Sequence, residues 1–307
     1  MARLRLVVSV ALAVVVSACA RGSPSGQGAD ALQDDAITVG SFDFSESEVL
    51  AELYSQALES KGYRVVRALN LGPREFVEPA LERGLIEFVP EYLGTVLGFL
   101  TGPAGPDATS DVQATHERLV REFATRGISV MASAPAQDTN GIAVTRATAV
   151  RFDLKTVSDL APVAGNLVFG GPPECPERPL CLPGLMETYG LDFERFTPLD
   201  ASGPLTIAAL ASGQVDVALV FTTDGSIDAQ DLVLLDDDRG LQPADNVTPV
   251  ARHEVLGTHG PGFASLVDTV SALLTTEDLR ALNGEVRLAR RTPHEVAGGW
   301  LERHPLA

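Results

Sequence analysis

The chain has 307 residues, of which 45% are hydrophobic, and its 41 acidic and 23 basic side chains give a net charge of −18. That length exceeds the ~100–200 residues usual for one domain, so two lobes are expected. So acidic a chain repels phosphates, which excludes nucleic acid as a partner but suits cationic or zwitterionic small ligands.

Arg3 and Arg5 precede an apolar run over residues 6–16. The run falls short of the ~20 residues that span a bilayer and reads as the core of an export signal. The following Val16-Ser17-Ala18-Cys19 resembles the lipobox of bacterial lipoproteins. That resemblance implies cleavage after residue 18 and a lipid on Cys19; the alternative is an ordinary signal with a chance Cys. Residues 19–36, rich in Gly, Ser, Ala and Gln, cannot bury a core and read as a flexible tether. The expectation is a body lipid-anchored to the extracytoplasmic face of a bacterial cell membrane.

Residues 37–41 read as a strand. Ser45-Glu46-Ser47-Glu48 fits a capping box, and apolar residues from Val49 to Leu58 follow at helical spacing up to Gly62. Strands are expected at 63–69 and 85–89, with helices at 74–83 and 91–100. This alternation implies parallel pairing with right-handed crossovers. After a Gly/Pro/Ala-rich break at 101–111 come a helix over 112–126 and a strand over 128–135. A second α/β series starts near 141–145, with a short helix at 155–160 and strands at 167–170, 196–199, 215–221 and 232–235. Helices are expected at 182–189 and near 205–212. A strand at 247–252 and helices over 262–275, 276–287 and 293–303 close the chain, with Thr276 capping the second of these.

Cys175 and Cys181 remain as an even pair in an exported chain, which favours a disulfide. The competing reading is a zinc site, though no His lies nearby in sequence. In parallel α/β sheets ligands sit beyond the carboxyl ends of strands. Here those ends are 42–45, 90–95, 172–184 and 222–226, two in each half of the chain, and they converge only if two lobes face one another.

Five stretches carry a family resemblance: Val39-Gly40-Ser41-Phe42-Asp43-Phe44-Ser45-Glu46, Pro90-Glu91-Tyr92-Leu93-Gly94-Thr95, Leu182-Pro183-Gly184-Leu185, Thr223-Asp224-Gly225, and Leu235-Asp236-Asp237-Asp238 with Thr248-Pro249-Val250. In order and spacing they resemble the glycine betaine/choline/carnitine-binding proteins of osmoprotectant ABC transporters. The resemblance implies a two-lobed α/β periplasmic-binding-protein-like (type II) fold with a hinge crossed twice: lobe I over 37–136 and 247–307, lobe II over 137–246. It also implies a monomer with no cofactor, which delivers a solute such as glycine betaine or choline to an ABC permease. In that family aromatic rings cage the quaternary ammonium by cation–π attraction, and Arg, Lys, hydroxyls or backbone donors hold a carboxylate tail.

Carried onto this chain, Tyr92 stands at a cage tyrosine, Thr95 at a motif hydroxyl and Arg178 near the carboxylate-binding Arg. The chain departs from the pattern where Phe42 replaces a family Lys, Val89 and Gly141 replace Tyr, and Asp245 takes another aromatic position. Phe42, Phe44 and Phe221 are therefore candidates to complete a thin cage, with one of Phe42 and Phe44 expected in the core. Asp43 either attracts a cation or caps the following helix. Arg178 either contacts an anion or pairs with Glu174 or Glu177. Phe221 faces the ligand or packs the core. Thr223 and Asp224 contact ligand or cap a helix, Asp245 is a candidate direct cation contact, and Trp300 is expected in the core. A neutral polyol, sugar-like or aromatic solute, or a sensor role without transport, is the alternative. No nucleophile elbow and no metal-pair spacing among the His residues points to an enzyme, and none is expected.

Overall fold

A computed structural model describes residues 35–102, 108–200 and 202–306. The signal segment, Cys19 and nearly all of the expected tether lie outside the described residues. The first run of elements is β1 (Ile37–Gly40), α1 (Ser45–Ser60), β2 (Val65–Ala68), α2 (Arg74–Glu82), β3 (Phe88–Tyr92), α3 (Leu93–Thr101), α4 (Val112–Ala124) and β4 (Ile128–Val130). The second is β5 (Asn140–Thr145), α5 (Arg146–Phe152), two 3₁₀ turns, β6 (Val168–Gly171), α6 (Leu182–Tyr189), β7 (Arg195–Pro198), α7 (Pro204–Ala211), β8 (Val217–Phe221), α8 (Ser226–Ala229) and β9 (Leu232–Leu235). The chain then returns as β10 (Val247–Arg252), α9 (His253–His259), α10 (Pro261–Leu273), α11 (Thr276–Arg287) and α12 (Pro293–Arg303).

Two five-stranded sheets result, ordered β2-β1-β3-β10-β4 and β7-β6-β8-β5-β9. Three strands of each pair in parallel, as expected from the βαβ pattern, but one strand of each sheet is reversed: β10 runs antiparallel to β3 and β4, and β5 to β8 and β9. The departure from a parallel sheet has a simple cause. The chain passes between the sheets at 131–139 and 236–246 and enters each new sheet beside the carboxyl ends of its parallel strands. Val247 stands opposite Tyr92, and Asn140 opposite Phe221. A strand starting there must run the other way. The two crossings touch through the bridge Gln137–Asn246.

Each sheet has its own core. Val49, Leu50, Leu53 and Tyr54 of α1 meet Phe88, Phe263 and Trp300 around the first sheet, and Phe169, Val217 and Leu219 anchor the second. Each large side chain so buried contributes ~1.5–3 kcal/mol.

Several local expectations need correction. The strand expected at 85–89 lies at Phe88–Tyr92 and runs through Pro90. Pro90 is tolerated because its partner in register is Pro249, so two missing donors fall on one rung of the ladder. The Ser45/Glu48 capping box does not form: Phe44 is the cap residue, with no side-chain bond, and the Ser47 hydroxyl instead accepts from the Phe42 N–H at 2.9 Å. The cap of α11 is Thr275, boxed with Asp278, one residue before the expected Thr276. Helices α5 and α9 had no sequence expectation.

Candidate functional site

The carboxyl ends of the parallel strands in both sheets, the two crossings and α11 enclose a cavity of about 670 Å³. Its wall takes Phe44, Ser45 and Glu46 from the start of α1, Tyr92 and Thr95 from the β3–α3 junction, and Asp138–Asn140 and Gln242–Asp245 from the crossings. Phe221 and Thr223–Gly225 come from the end of β8, and Asn283 and Arg287 from α11.

Tyr92 and Phe44 form the aromatic part. Tyr92 is buried, and its hydroxyl donates to Glu46 Oε1 at 2.6 Å. Phe44 is 43% exposed and its ring centroid lies 6.0 Å from that of Tyr92. Phe42 is 2% exposed and belongs to the first core. The backbone bends at Asp43 and Phe44, and Phe44, not Phe42, reaches the cavity. One face of Phe42 stacks on Phe44 and the Arg74 guanidinium lies 4.9 Å from its ring centroid. Arg74 is bound at both ends of its fork to the Glu91 carboxylate, at 2.9 and 2.8 Å.

The rest of the wall is acidic. Glu46 Oε2 accepts from Asn283 Nδ2 at 2.5 Å, yet burial still raises its carboxyl above the usual range. Asp138 is raised well above its ordinary value, first by burial and then by the charge of Glu46. Its Oδ1 is buried and without a hydrogen-bond partner, as is Oδ1 of Asn283. Burial pushes Asp245 up to about 6, opposed by donation from the Thr95 N–H at 2.9 Å and from the Thr95 hydroxyl. Asp224 is fully occupied: Ser202 Oγ, the Ser226 N–H and Arg287 Nη1 donate to it at 2.9, 2.8 and 2.9 Å.

At the rim the two halves meet without side chains. A Cβ built on Gly225 would stand 2.5 Å from Cα and N of Gly284 in α11. Beside that contact, Asn283 Nδ2 donates to the Thr223 carbonyl at 3.0 Å.

Of the residues expected from sequence, Tyr92, Thr95, Phe221, Thr223, Asp224 and Asp245 line this cavity. Phe42 and Asp43 do not: the first is in the core and the second is exposed outside the wall. Arg178 pairs with Glu174 at 2.8 Å, with its side chain 62% exposed, and lines an adjoining cavity of about 230 Å³ with Leu180 and Phe221. Cys175 and Cys181 are joined as a disulfide, and the loop they close carries Arg178 and Leu180. Sequence reasoning did not assign Glu46, Asp138, Asn283 or Arg287 to the site. Glu46 and Asp138 stand beside motif residues, but α11 is remote in sequence and gave no signal. No group of His, Cys, Asp and Glu fit to hold a metal occurs among the described residues. None of their helices is long and apolar enough to cross a membrane.

Residues 35–303 match the sequence model of the family described as the substrate-binding domain of ABC-type glycine betaine transport systems. A glycine-betaine-binding protein of Pseudomonas aeruginosa is 30% identical over 283 residues, 89% of each chain. The carnitine transport binding protein OpuCC of Listeria monocytogenes is 27% identical over 274 residues, 88% of this chain and 87% of that one. A solved structure described as a glycine betaine/carnitine/choline ABC transporter superposes with a TM-score of 0.80 at 26% identity, over 87% of this chain and 98% of the other.

Proposed function

The chain belongs to the family of substrate-binding domains of ABC-type glycine betaine transport systems, and from that membership we propose that its cleft traps a quaternary ammonium solute and presents it to an ABC permease. Its α/β fold with two mixed sheets is that of type II periplasmic binding proteins. The family is an extracytoplasmic solute-binding component of transport; a lipid anchor on Cys19 and a monomeric body are part of the proposal, and no catalytic role is.

One observation carries the ligand class. The rings of Tyr92 and Phe44 border the same cavity as the carboxyl groups of Glu46 and Asp138. A methylated ammonium needs apolar faces for its methyl groups and negative charge or π density for its cation. An aromatic face supplies ~1–2 kcal/mol to a desolvated ammonium. The desolvation comes from contact with both halves of the chain at once, which favours the closed arrangement when ligand is bound. In this reading Phe221 adds a third ring from the second sheet, and Thr95, Thr223, Asp224 and Asp245 shape the wall. Phe42 supports Phe44 from behind, and Asp43 and Arg178 make no ligand contact.

Calorimetric titration of glycine betaine, choline and carnitine tests the reading. The wild type is expected to bind at least one of them, and Tyr92→Ala to weaken binding about tenfold. A wild type that binds none of the three while binding a neutral polyol or aromatic solute would overturn the ligand class and leave the transport role standing.

A further inference from the structure

We infer that the cleft selects a ligand with net positive charge, one carrying no carboxylate of its own, and that Asp138 is the residue that sets this preference. The inference rests on the reading of the cleft as a quaternary ammonium site and goes on to ask which charge state of ligand the site favours.

Consider first what is left over for an anionic tail. Arg74 and Arg287 are the cations on the cavity wall; the chain's two lysines, Lys61 and Lys155, are not part of it. Arg74 is held in a two-point bond to Glu91, which is itself buried and also accepts the Tyr92 N–H at 2.9 Å. Arg287 is committed to Asp224 at 2.9 Å. Arg178 pairs with Glu174 and borders the adjoining cavity. The hydroxyl and N–H of Thr95 both serve Asp245. A ligand carboxylate would therefore meet two arginines whose charge is already opposed by a carboxylate.

Consider next what is left over for a cation. Once the two arginines are neutralised by their partners, Glu46, Asp138 and Asp245 remain on the wall. Glu46 has donors on both oxygens and Asp245 has Thr95. Asp138 differs: Thr223 bonds its carboxyl group, yet Oδ1 is wholly buried with no partner, on the wall of a cavity wide enough for a small solute. An unpaired buried carboxyl oxygen is costly, and the structure stores that cost until a complementary group arrives. Burial favours the neutral form of Asp138 in the empty cleft; an ammonium placed against Oδ1 favours the ionised form and supplies the missing partner, whereas a zwitterion brings a second charge of the wrong sign into the same enclosed space.

The test compares choline, glycine betaine and the ethyl ester of glycine betaine, which has the same trimethylammonium group with its carboxylate masked. Calorimetry on the wild type is expected to rank choline and the ester at least tenfold tighter than glycine betaine. Asp138→Asn, checked for a native-like melting transition, is expected to cut choline affinity tenfold or more and glycine betaine affinity less than threefold. The wild-type ranking does not depend on whether that variant folds. Glycine betaine binding tighter than both cations would overturn the inference while the quaternary ammonium reading stands, and so would an equal loss for all three in Asp138→Asn. A wild type that binds none of the three would overturn both.

Discussion

Replacing Glu78 by Gln is expected to stabilise the protein, and to do so only above mildly acidic pH. Glu78 lies on α2 with 1% of its surface exposed, and neither of its carboxyl oxygens accepts a hydrogen bond. Its neighbour is Glu91, whose charge is committed to Arg74 and the Tyr92 N–H. Burial first, and then the charge of Glu91, push Glu78 up to about 9 from an ordinary 4.5. At neutral pH the folded protein therefore holds a proton on Glu78, which donates to Glu91, while the unfolded chain has released it. The folded state binds more protons, so this group's contribution to stability is greatest below about 4.5 and declines as pH rises towards about 9. The decline is about 1.4 kcal/mol per pH unit, or roughly 3 kcal/mol by pH 7. Gln keeps a donor to Glu91 at the same size and takes up no proton. At ~2–4 °C per kcal/mol for a body of this size, Glu78→Gln should melt ~6–12 °C higher than wild type at pH 7. Differential scanning calorimetry at pH 5 and pH 8 measures it. An equal gain at both pH values, or a loss at pH 8, would refute the reasoning.

Phe42→Ala is expected to lower stability by about 3–5 kcal/mol, because it opens a cavity in the first core; a denaturant titration that finds it unchanged would contradict the packing of Phe42 behind Phe44. Affinity for choline should rise between pH 5 and 7, because Asp245, pushed up to about 6 by burial, is neutral below that range and charged above it. Asp245→Asn should make the rise over this range shallower, leaving the part due to Glu46 and Asp138, and calorimetry at several pH values reads both. Cys19→Ala should move the protein from the membrane to the soluble fraction without changing its melting temperature, since residues 20–35 lack the apolar content for a core; retention on membranes would contradict the anchor.

The fold was legible where the signals are local. Helices punctuated by Gly62 and by Pro293, and short apolar strands such as Val217–Phe221, declare themselves through spacing and composition alone. The antiparallel strands were not legible, because their direction follows from where the chain enters a sheet, a property of the whole path. The segment after β1 shows the same limit at finer scale. Ser45 and Ser47 offer the same hydroxyl two residues apart, and only the packed backbone decides which of them meets a free N–H. Of the residues on the cavity wall, Tyr92 and Thr95 stood out because their junction has a recognisable pattern. Asp138, Asn283 and Arg287 did not, since an acidic residue in a crossing and two polar residues on an amphipathic helix read as ordinary surface until α11 is seen against Thr223 and Gly225.

The meeting of Gly225 with Gly284 confines where this protein's descendants can change. A seam of backbone against backbone offers inheritance nothing to adjust: any side chain gained at 225 holds the rim apart. Gly284 has looser surroundings, with its nearest neighbour 3.7 Å from an added Cβ, so drift there is tolerated. How long the rim stays shut is then left to the few side chains beside it, Asp224, Asn283 and Arg287. Lineages that need quicker delivery or longer retention of their cargo are expected to differ at those three positions, while 225 stays glycine.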